Sequence, residues 1–512
     1  MGLYNTSNDM IGISLYLRIF LLHSPFTCGK MSSVRQKLEE VYFMKKTKII
    51  CSIGPSTQTW EAFKGIVEAG MNVARINFSH ATLEERALDE SLVKRANEEL
   101  GTDIAILYDT KGPDLRTCAF KDDKIELVAG NTIRIVEDEI EGTSEAICFN
   151  YRGILKDIKV GMEILVDDGF YKLIVEDMDN DGITCRIING GVIKSRRGVC
   201  IPGMKLDIPY VSEKDEEDIK YACDHDGDFL AISFVNSRED IKAVRSLCKK
   251  YGKENMQIIS KVETQYAMDN LDEIVEESDI IMIARGDLGT ETGVEKLPLY
   301  QQMMIDKCHA KGKRVIMATQ MMYSMKTNIR PTNAEVTDVA NAVLTGCDAI
   351  MTSDETTIGN YPVETIQTMA QICETVESYN VYKDKYKDLR KRDITSVIAD
   401  SVVTASKELN TKVIVAATMS GYTAKQISNL RPNAFVLAAC PTHETARSLA
   451  LSYGVYSAIV PVYNSTDEVI ADAKVQAQKF MNLQKGDTIV ITGGFPNNTE
   501  NKTTNFMKIE EI

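Results

Sequence analysis

The 512-residue chain is poor in the residues that build the most familiar catalytic and metal sites. It has five histidines and one tryptophan, and its 12 cysteines are scattered without a Cys-x-x-Cys pair. A zinc site or a disulfide framework requires clustered ligands or cysteines, so neither is expected. Unpaired cysteines are typical of proteins in a reducing compartment, and we therefore predict a cytoplasmic location.

The chain has no excess of positive charge, since its 74 acidic residues outnumber 59 lysines and arginines, and it has no long apolar run. The net charge of −15 and a pI near 5.1 argue against nucleic acid as a main partner. The most apolar segment near the N-terminus, residues 11–22, is interrupted by Arg18 and is too short to cross a bilayer, so no membrane partner is predicted. We expect residues 1–44 to form a disordered leader.

The chain does contain a repeated pattern of short apolar strands and helical segments. Each strand is rich in buried-type residues and ends in polar or glycine residues, as parallel strands do where they open into loops. Eight such strands are predicted, at residues 47–54, 72–80, 103–112, 229–235, 257–264, 280–289, 314–321 and 349–357. This number predicts a (β/α)8 TIM barrel formed by residues 45–113 and 209–378. A doubly wound open sheet is the competing fold, but polar residues gather at the strand C-termini, where a barrel builds its active site.

Two further regions differ from the barrel pattern. Residues 114–208 show alternating apolar residues and Gly/Asp turns without clear helices, which predicts a small inserted all-β domain, a β-barrel lid at the barrel mouth. Residues 379–512 are predicted to form a smaller C-terminal α/β domain of regulatory type, with strands at 411–418, 434–439, 458–462 and 488–492.

The fifth and sixth predicted barrel strands carry the clearest chemical pattern. Lys261 and Glu263 are two residues apart and therefore share one face of a strand, and Asp287 follows the next strand. Mg²⁺ in proteins takes one or two carboxylates together with substrate oxygens, so these residues suit a metal ion and an anionic substrate. A single pair of this kind is more often a structural ion pair, but the same layout recurs along the chain.

A second polar cluster is predicted at the ends of the second and third strands. Arg75, Asn77 and Ser79 lie on one face, and the next strand ends in Asp109 and Thr110. A guanidinium suits phosphate, and the neighbouring oxygens suit a monovalent cation. Each oxygen donor alone also fits a cap or turn residue.

The candidate site has cations and carboxylates but lacks an activated nucleophile. It comprises Arg75, Lys261, Glu263, Asp287 and Thr319, with Arg116 near the lid junction, and the chain has no GxxxxGK[ST] loop. Such a set points to phosphoryl transfer, in which positioning and charge neutralisation do most of the work. Enolate chemistry on a metal-bound oxyacid fits the same residues.

A possible effector site lies in the C-terminal domain. Its first strand runs into a loop with Thr418, Ser420, Gly421 and Thr423 before a helix, and hydroxyls and glycine at such a position suit an anion. An ordinary capped helix is at least as good an interpretation.

Several motifs in the same order resemble those of the pyruvate kinases. They are KTKIICSIGP, GMNVARINFSH, DTKGP, ISKVET, ARGDLG, MATQM, RPT-AE--DVANAV and MTSDET, and the resemblance covers nearly all of the chain from Lys46. It implies a barrel, a lid and a regulatory domain in a homotetramer that transfers phosphate from phosphoenolpyruvate to ADP in glycolysis, giving pyruvate and ATP.

The resemblance also implies roles for individual residues. Arg75, Lys261 and Thr319 would be catalytic; Gly286 and Asp287 would join them in holding the substrate. Glu263 and Asp287 resemble the ligands of Mg²⁺ (or Mn²⁺) in that family. The K⁺ ligands match Asn77, Ser79, Asp109 and Thr110, and the nucleotide site matches Asn77, Phe78, Ser79, His80, Arg116 and Arg197.

Some positions depart from the family pattern. Asp114 stands where K⁺-dependent relatives usually have Glu and K⁺-independent ones Lys, which favours K⁺ dependence. Asp354 replaces a usual Gly, and Ile358 a common Lys. The loop at 493–498 lacks the Trp and Arg that clasp a bisphosphate sugar, so the sequence argues against activation by fructose bisphosphate.

Two alternatives to an active phosphotransferase are considered. A catalytically lapsed regulatory or scaffold protein is opposed by the presence of Arg75, Lys261, Glu263, Asp287 and Thr319. A metal-dependent lyase on oxyacids shares the barrel and the carboxylates but has no use for a lid or for Arg116.

Overall fold

The structure is a computed structural model that describes residues 44–204, 208–379, 393–495 and 503–512. The predicted leader, except for Met44, lies outside the described residues, as do residues 496–498 of the loop compared above.

Eight parallel strands close into a barrel, as predicted. They follow the order β1-β2-β3-β12-β13-β14-β15-β16 around the barrel, and the last pairs with the first through Lys48 and Ala349. Closure excludes the open doubly wound sheet. The strands are β1 (Lys48–Ser52), β2 (Val73–Asn77), β3 (Ala105–Asp109), β12 (Phe229–Ile232), β13 (Gln257–Val262), β14 (Ile280–Ala284), β15 (Arg314–Ala318) and β16 (Ala349–Thr352).

Helices cover the outside of the barrel. They are α1 (Trp60–Glu68), α2 (Leu83–Glu99), α4 (Glu213–Asp224), α5 (Arg238–Lys250), α6 (Gln265–Asp269), α7 (Leu271–Glu277), α8 (Arg285–Thr292), α9 (Leu297–Ala310), α10 (Asn333–Thr345), α11 (Asp354–Thr357) and α12 (Pro362–Ser378). Capping boxes fix where several begin; in α4, for example, Ser212 and Asp215 bond each other's backbone N–H.

The strands end earlier than the sequence pattern predicts. The predicted strand at 280–289 stops at Ala284, because α8 begins at Arg285. The polar residues at the mouth therefore lie in the first turns beyond the strands. Inside the barrel the packing is apolar, with Ile50, Phe229, Ile259, Met282 and Ile316 among the buried residues.

The inserted domain, which comprises β4 to β11, lies between β3 and β12 of the barrel. Its main sheet is a curled one of six strands in the order β11-β7-β8-β9-β5-β6, and β4 pairs with β10 separately. Its elements are β4 (Lys124–Leu127), β5 (Thr132–Val136), β6 (Ala146–Cys148), the short helix α3 (Ile154–Asp157), β7 (Glu163–Val166), β8 (Tyr171–Met178), β9 (Gly182–Ile187), β10 (Gly191–Lys194) and β11 (Val199–Cys200).

The C-terminal domain is an α/β sheet in the order β19-β18-β17-β20-β21. Its elements are α13 (Ile394–Glu408), β17 (Val413–Ala417), α14 (Tyr422–Ser428), β18 (Phe435–Cys440), α15 (His443–Ser448), β19 (Val455–Ile459), α16 (Thr466–Phe480), β20 (Thr488–Gly493) and β21 (Phe506–Glu511). The third strand begins three residues before its predicted position. The antiparallel edge strand β21 was not predicted, because its alternating pattern is weak and four of its six residues are exposed.

The C-terminal domain packs against the N-terminal ends of the barrel strands. Leu451 is fully buried within the apolar cluster of the barrel interior. Around it, Arg447 forms an ion pair with the buried Asp228 at 3.0 Å, and the Gln257 side-chain amide donates to the Ser448 carbonyl at 2.9 Å. The barrel floor is thus closed by the other domain. None of the helices in the described part of the chain is both long and apolar enough to cross a membrane.

Leu451→Ala should lower the free energy of unfolding by about 3 kcal/mol, because it leaves a cavity at a site that is closed on all sides. Urea denaturation measures the change. Leu409→Ala, at a half-exposed leucine of the same domain, is the control and should cost less than about 1 kcal/mol. If the two variants lost the same free energy of unfolding, Leu451 would not be the residue that closes the barrel interior.

Candidate active site

The Asp109 carboxylate lies between two cations at the barrel mouth. Its Oδ2 accepts from Arg75 Nε and Nη2, both at 2.7 Å, and its Oδ1 lies 3.4 Å from Lys261 Nζ. Burial alone would raise the pKa of Asp109, but Lys261 and Arg75 outweigh it and hold that pKa below its usual range. The two cations are therefore held side by side, with one negative charge between them.

Lys261 also contacts Glu263, as the shared strand face predicts. Its ammonium lies 3.1 Å from Glu263 Oε1 and donates to Ser233 Oγ at 2.7 Å. Burial opposes the charged ammonium, yet the Asp109 and Glu263 carboxylates raise the pKa of Lys261 above its ordinary value. Lys261 is thus a fixed positive charge at neutral pH.

Glu263 and Asp287 form the carboxylate pair of the site. The Phe234 N–H donates to Glu263 Oε2 at 2.6 Å, which orients a side chain that is almost wholly buried. Burial, with the Asp287 charge nearby, raises the pKa of Glu263 to about 7, and burial also raises the pKa of Asp287. Two carboxylates that are costly to charge together are a suitable donor set for a divalent cation, which would compensate both.

The structure fits a metal that keeps open positions for its substrate. Within the described ranges, no group of three or more His, Cys, Asp or Glu side chains is arranged to hold a metal ion. Two carboxylates facing a cavity match Mg²⁺, which commonly binds one or two carboxylates and completes its shell with substrate oxygens and water.

Thr319 and Gly286 meet across the ends of β15 and β14. Thr319 has φ = 67°, a left-handed conformation that is uncommon for a threonine, and its Oγ1 accepts the Gly286 N–H at 3.1 Å. Arg285 is not among the residues that line the cavity: its Nη1 contacts both carboxylate oxygens of Asp338, at 2.8 and 2.7 Å, and its Nη2 donates to the Thr319 carbonyl. Strained backbone of this kind persists where surrounding contacts hold it, and Arg285 supplies such a contact.

The residues with an implied nucleotide role surround the same cavity, with one exception. Asn77, Ser79, His80, Arg116 and Arg197 line it. Arg116 pairs with Asp114, and Arg197 lies 3.6 Å from Asp167. Burial and the nearby Arg116 and Arg75 lower the pKa of His80, so it is neutral at pH 7.

Phe78 is the exception, because its side chain points into the protein. It stacks on Tyr108 with ring centroids 5.1 Å apart and lies 4.1 Å below the Arg86 guanidinium. Its backbone is bonded within the protein as well: the Phe78 N–H donates to the Asp109 carbonyl at 3.0 Å, and its carbonyl accepts from Arg86 Nη2 at 3.3 Å.

The four residues with an implied K⁺ role line one part of the cavity. These are Asn77, Ser79, Asp109 and Thr110. Asn77 Oδ1 accepts the Ser79 N–H at 3.0 Å, and the Thr110 carbonyl accepts from the Ser233 hydroxyl at 2.7 Å. Both Asp109 oxygens already contact cations, so this carboxylate is shared between the two parts of the site.

Sequence reasoning missed two serines at the strand ends. Ser233 links Lys261 to the Thr110 carbonyl, and Ser52 Oγ accepts from Arg75 Nη1 at 2.7 Å. Ser52 is the last residue of β1, and Ser233 directly follows β12. A polar residue at the end of a buried barrel strand is the sequence signal that could have identified them. They fix the two cations from the sides that Asp109 does not reach.

The candidate effector loop is mostly occupied by contacts within its own domain. Thr418 is buried, and the Thr423 and Thr504 hydroxyls bond each other at 2.8 Å. Gly421 has φ = 78° and precedes α14, and an added Cβ would lie 3.0 Å from Leu449. Only Ser420 is exposed.

Comparisons with known proteins agree with this architecture. A family model described as "Pyruvate kinase, barrel domain" matches residues 44–366, and one described as "Pyruvate kinase, alpha/beta domain" matches residues 396–510. A pyruvate kinase of Clostridium acetobutylicum is 40% identical over 473 residues, covering 92% of this chain and 100% of the relative. One of Bacillus licheniformis is 42% identical over 471 residues, covering 91% and 80%.

A solved structure is also similar. The crystal structure of a pyruvate kinase from Cryptosporidium parvum has a TM-score of 0.86 and 34% identity, covering 91% of this chain and 96% of that one. The matches define a phosphotransferase, and they span the barrel and the C-terminal domain. The chain belongs to the pyruvate kinase family.

Asp109→Asn should destabilise the protein by about 3 kcal/mol, because it leaves the buried Arg75 and Lys261 charges without their shared counter-charge. Chemical denaturation at pH 7 measures this. Asp103→Asn removes the partner of the exposed His443 and should cost less than about 1 kcal/mol. If the two variants lost the same stability, Asp109 would not be the charge that holds the site together.

Proposed function

We propose that the cavity at the barrel mouth transfers the phosphoryl group of phosphoenolpyruvate to ADP, giving pyruvate and ATP. The carrying observation is the placement of Lys261, which lies between Asp109 and Glu263 and shares Asp109 with Arg75. Two adjacent cations beside a carboxylate pair suit an anionic phosphate whose charge is redistributed during transfer. This is the glycolytic reaction of the family.

We infer that Glu263 and Asp287 hold Mg²⁺ or Mn²⁺. When bound there, the ion would supply Lewis-acid stabilisation of oxygen charge on the substrate. The Phe234 N–H and the Lys261 ammonium fix the two Glu263 oxygens, which limits the directions from which that carboxylate can bind.

The remaining substrate contacts are assigned from the family resemblance, and the charges at the mouth support them. Arg75 would bind the phosphate, and Lys261 would stabilise both the transferring phosphoryl group and the enolate oxygen. Asp287, the Gly286 backbone and Thr319 would hold the substrate's other end, and we assign Thr319 to the route by which the enolate is protonated. Arg75 is suited to its role because Ser52 and Asp109 already fix its guanidinium plane.

The nucleotide and K⁺ sites are part of the same proposal. ADP would bind along Asn77 to His80, with Arg116 and Arg197 on its phosphates, and Phe78 would hold this segment in place through its contacts with Tyr108 and Arg86. K⁺ would bind among Asn77, Ser79, Asp109 and Thr110. The inserted domain carries Arg197 and stands at the mouth, so we assign it the role of a lid that excludes water.

The assembly and the regulation are proposed on family grounds. We propose a cytoplasmic homotetramer with a phosphorylated effector, if any, at Ser420 and the backbone of the loop from Thr418 to Thr423. The missing clasp residues argue against fructose bisphosphate as that effector.

Lys261→Met should lower kcat for pyruvate formation by at least about a thousandfold, because it removes charge stabilisation that is strongest in the transition state. A coupled assay with phosphoenolpyruvate, ADP and Mg²⁺ measures the change. Lys249→Met, at an exposed lysine of α5, is the control and should keep wild-type turnover. Near-normal turnover of Lys261→Met would remove Lys261 from the mechanism.

Potassium should stimulate pyruvate formation by the wild-type protein when choline chloride keeps the ionic strength constant. Asp114→Glu should retain this stimulation. Asp114→Lys should lose it, because a fixed ammonium then takes over the role of the monovalent cation. If the wild-type protein formed pyruvate at the same rate with and without K⁺, the proposed phosphoryl transfer would stand and the proposed K⁺ site would be wrong.

A further inference from the structure

The helix α8 carries the substrate-binding end of the site and also contacts the inserted domain. Its first turn holds Gly286 and Asp287, and one turn later Thr290 and Glu291 reach across to the lid. Because α8 has only eight residues, these two sets of side chains are parts of one short rigid element.

Glu291 joins the inserted domain through two hydrogen bonds, and Thr290 lies beside them. The single hydroxyl proton of Thr290 is within reach of both the Asp168 carbonyl, at 3.2 Å in the inserted domain, and the Gly286 carbonyl, at 3.1 Å in its own helix. Glu291 Oε1 accepts the Gly203 N–H, and its Oε2 accepts the Cys200 thiol, both at 3.0 Å. Each Glu291 oxygen therefore has its own donor in the inserted domain.

The position of Glu291 makes these bonds consequential. It lines a cavity that lies between the inserted domain and the barrel, with Leu165 and Met204 on one side and Tyr266 on the other, and with Glu263 and Asp287 at its end. The hydrogen bonds of Glu291 therefore bridge the two domains at a cavity that Glu263 and Asp287 also line.

Glu291 is also partly buried at this interface. Burial raises its pKa although the Cys200 and Gly203 donors oppose this shift. When the lid leaves, the Glu291 carboxylate keeps its backbone hydrogen bond with Gln265 of the barrel but loses the Cys200 and Gly203 donors, and water would have to replace them. A hydrogen bond to a charged group of this kind is worth more than an ordinary one, so the closed position of the lid is favoured.

We propose that Glu291 is a lid-docking residue: its carboxylate holds the inserted domain, through Cys200 and Gly203, against the helix that presents Gly286 and Asp287. Glu291 is a positioning residue and does not touch the reacting atoms. The proposal rests on the proposed function, because the roles of Gly286 and Asp287 are assigned there.

The first test is hydrogen exchange of the full-length protein, which requires no activity. In Glu291→Ala, the amides of residues 199–204 should exchange roughly tenfold faster or more than in the wild type, because the Gly203 N–H loses its acceptor. Glu295→Ala, at an exposed glutamate of the following turn, is the control and should leave this exchange unchanged. Unchanged exchange in Glu291→Ala would overturn the proposal.

The second test separates docking from a general structural role. Glu291→Ala should lower kcat/KM for phosphoenolpyruvate by roughly tenfold or more, while Mn²⁺ binding to the free enzyme, followed by water proton relaxation, keeps its wild-type affinity. A parallel loss of Mn²⁺ affinity would mean that α8 itself is disturbed, and would contradict the docking role. If the wild type were inactive, the proposed function would fail, while the exchange experiment would still decide the docking contact.

The third test approaches the contact from the lid. Cys200→Ala removes one of the two donors from the lid. It should therefore cause part of the faster amide exchange at residues 199–204 and part of the loss in kcat/KM for phosphoenolpyruvate. Cys200→Ala combined with Glu291→Ala should be no worse than Glu291→Ala alone, because the two residues share one bond. Additive effects of the two substitutions would overturn the pairing, and Cys200→Ala tests it even if Glu291→Ala does not fold.

Discussion

The active-site mouth depends on the single carboxylate of Asp109. Arg75 and Lys261 would repel each other at their present separation, and burial would penalise both charges. Asp109 accepts from one with one oxygen and faces the other with the second, and Ser52 and Ser233 complete the arrangement. With those cations fixed, Glu263 is oriented in turn by Lys261. These contacts connect Asp109 at the end of β3 to Lys261 in β13, and through Lys261 to Glu263 of the carboxylate pair.

The barrel explains why residues so distant in the chain meet. Arg75, Asp109, Lys261 and Thr319 follow or end different strands, and closure brings all the carboxyl ends to one rim. The opposite rim is closed by the C-terminal domain through Leu451. The candidate active site and the C-terminal α/β domain therefore lie at opposite ends of the same set of strands, so that each strand connects the two.

Much of this arrangement could be predicted from the sequence, because burial on both faces gives parallel strands a distinct apolar signature. The eight barrel strands were predicted from this signature, and the shared face of Lys261 and Glu263 was predicted from the two-residue period of a strand. The edge strand β21 did not, because an exposed edge lacks that signature. Ser52 and Ser233 were missed for a related reason: a small polar residue after a strand looks the same whether it ends a turn or fixes a cation. The left-handed backbone of Thr319 and the inward-facing Phe78 ring depend on contacts between segments, and no local pattern encodes them.

We propose that Glu263 and Asp287 form one metal site and that Arg75 and Lys261 bind the substrate phosphate beside it. A crystal structure with Mn²⁺ and phosphoenolpyruvate would test this, because the anomalous signal of manganese locates the ion independently of the protein map. We expect a single strong peak within coordination distance of both carboxylates, with the substrate phosphate against Arg75 and Lys261. A peak bound to other residues, or a phosphate away from both cations, would contradict it.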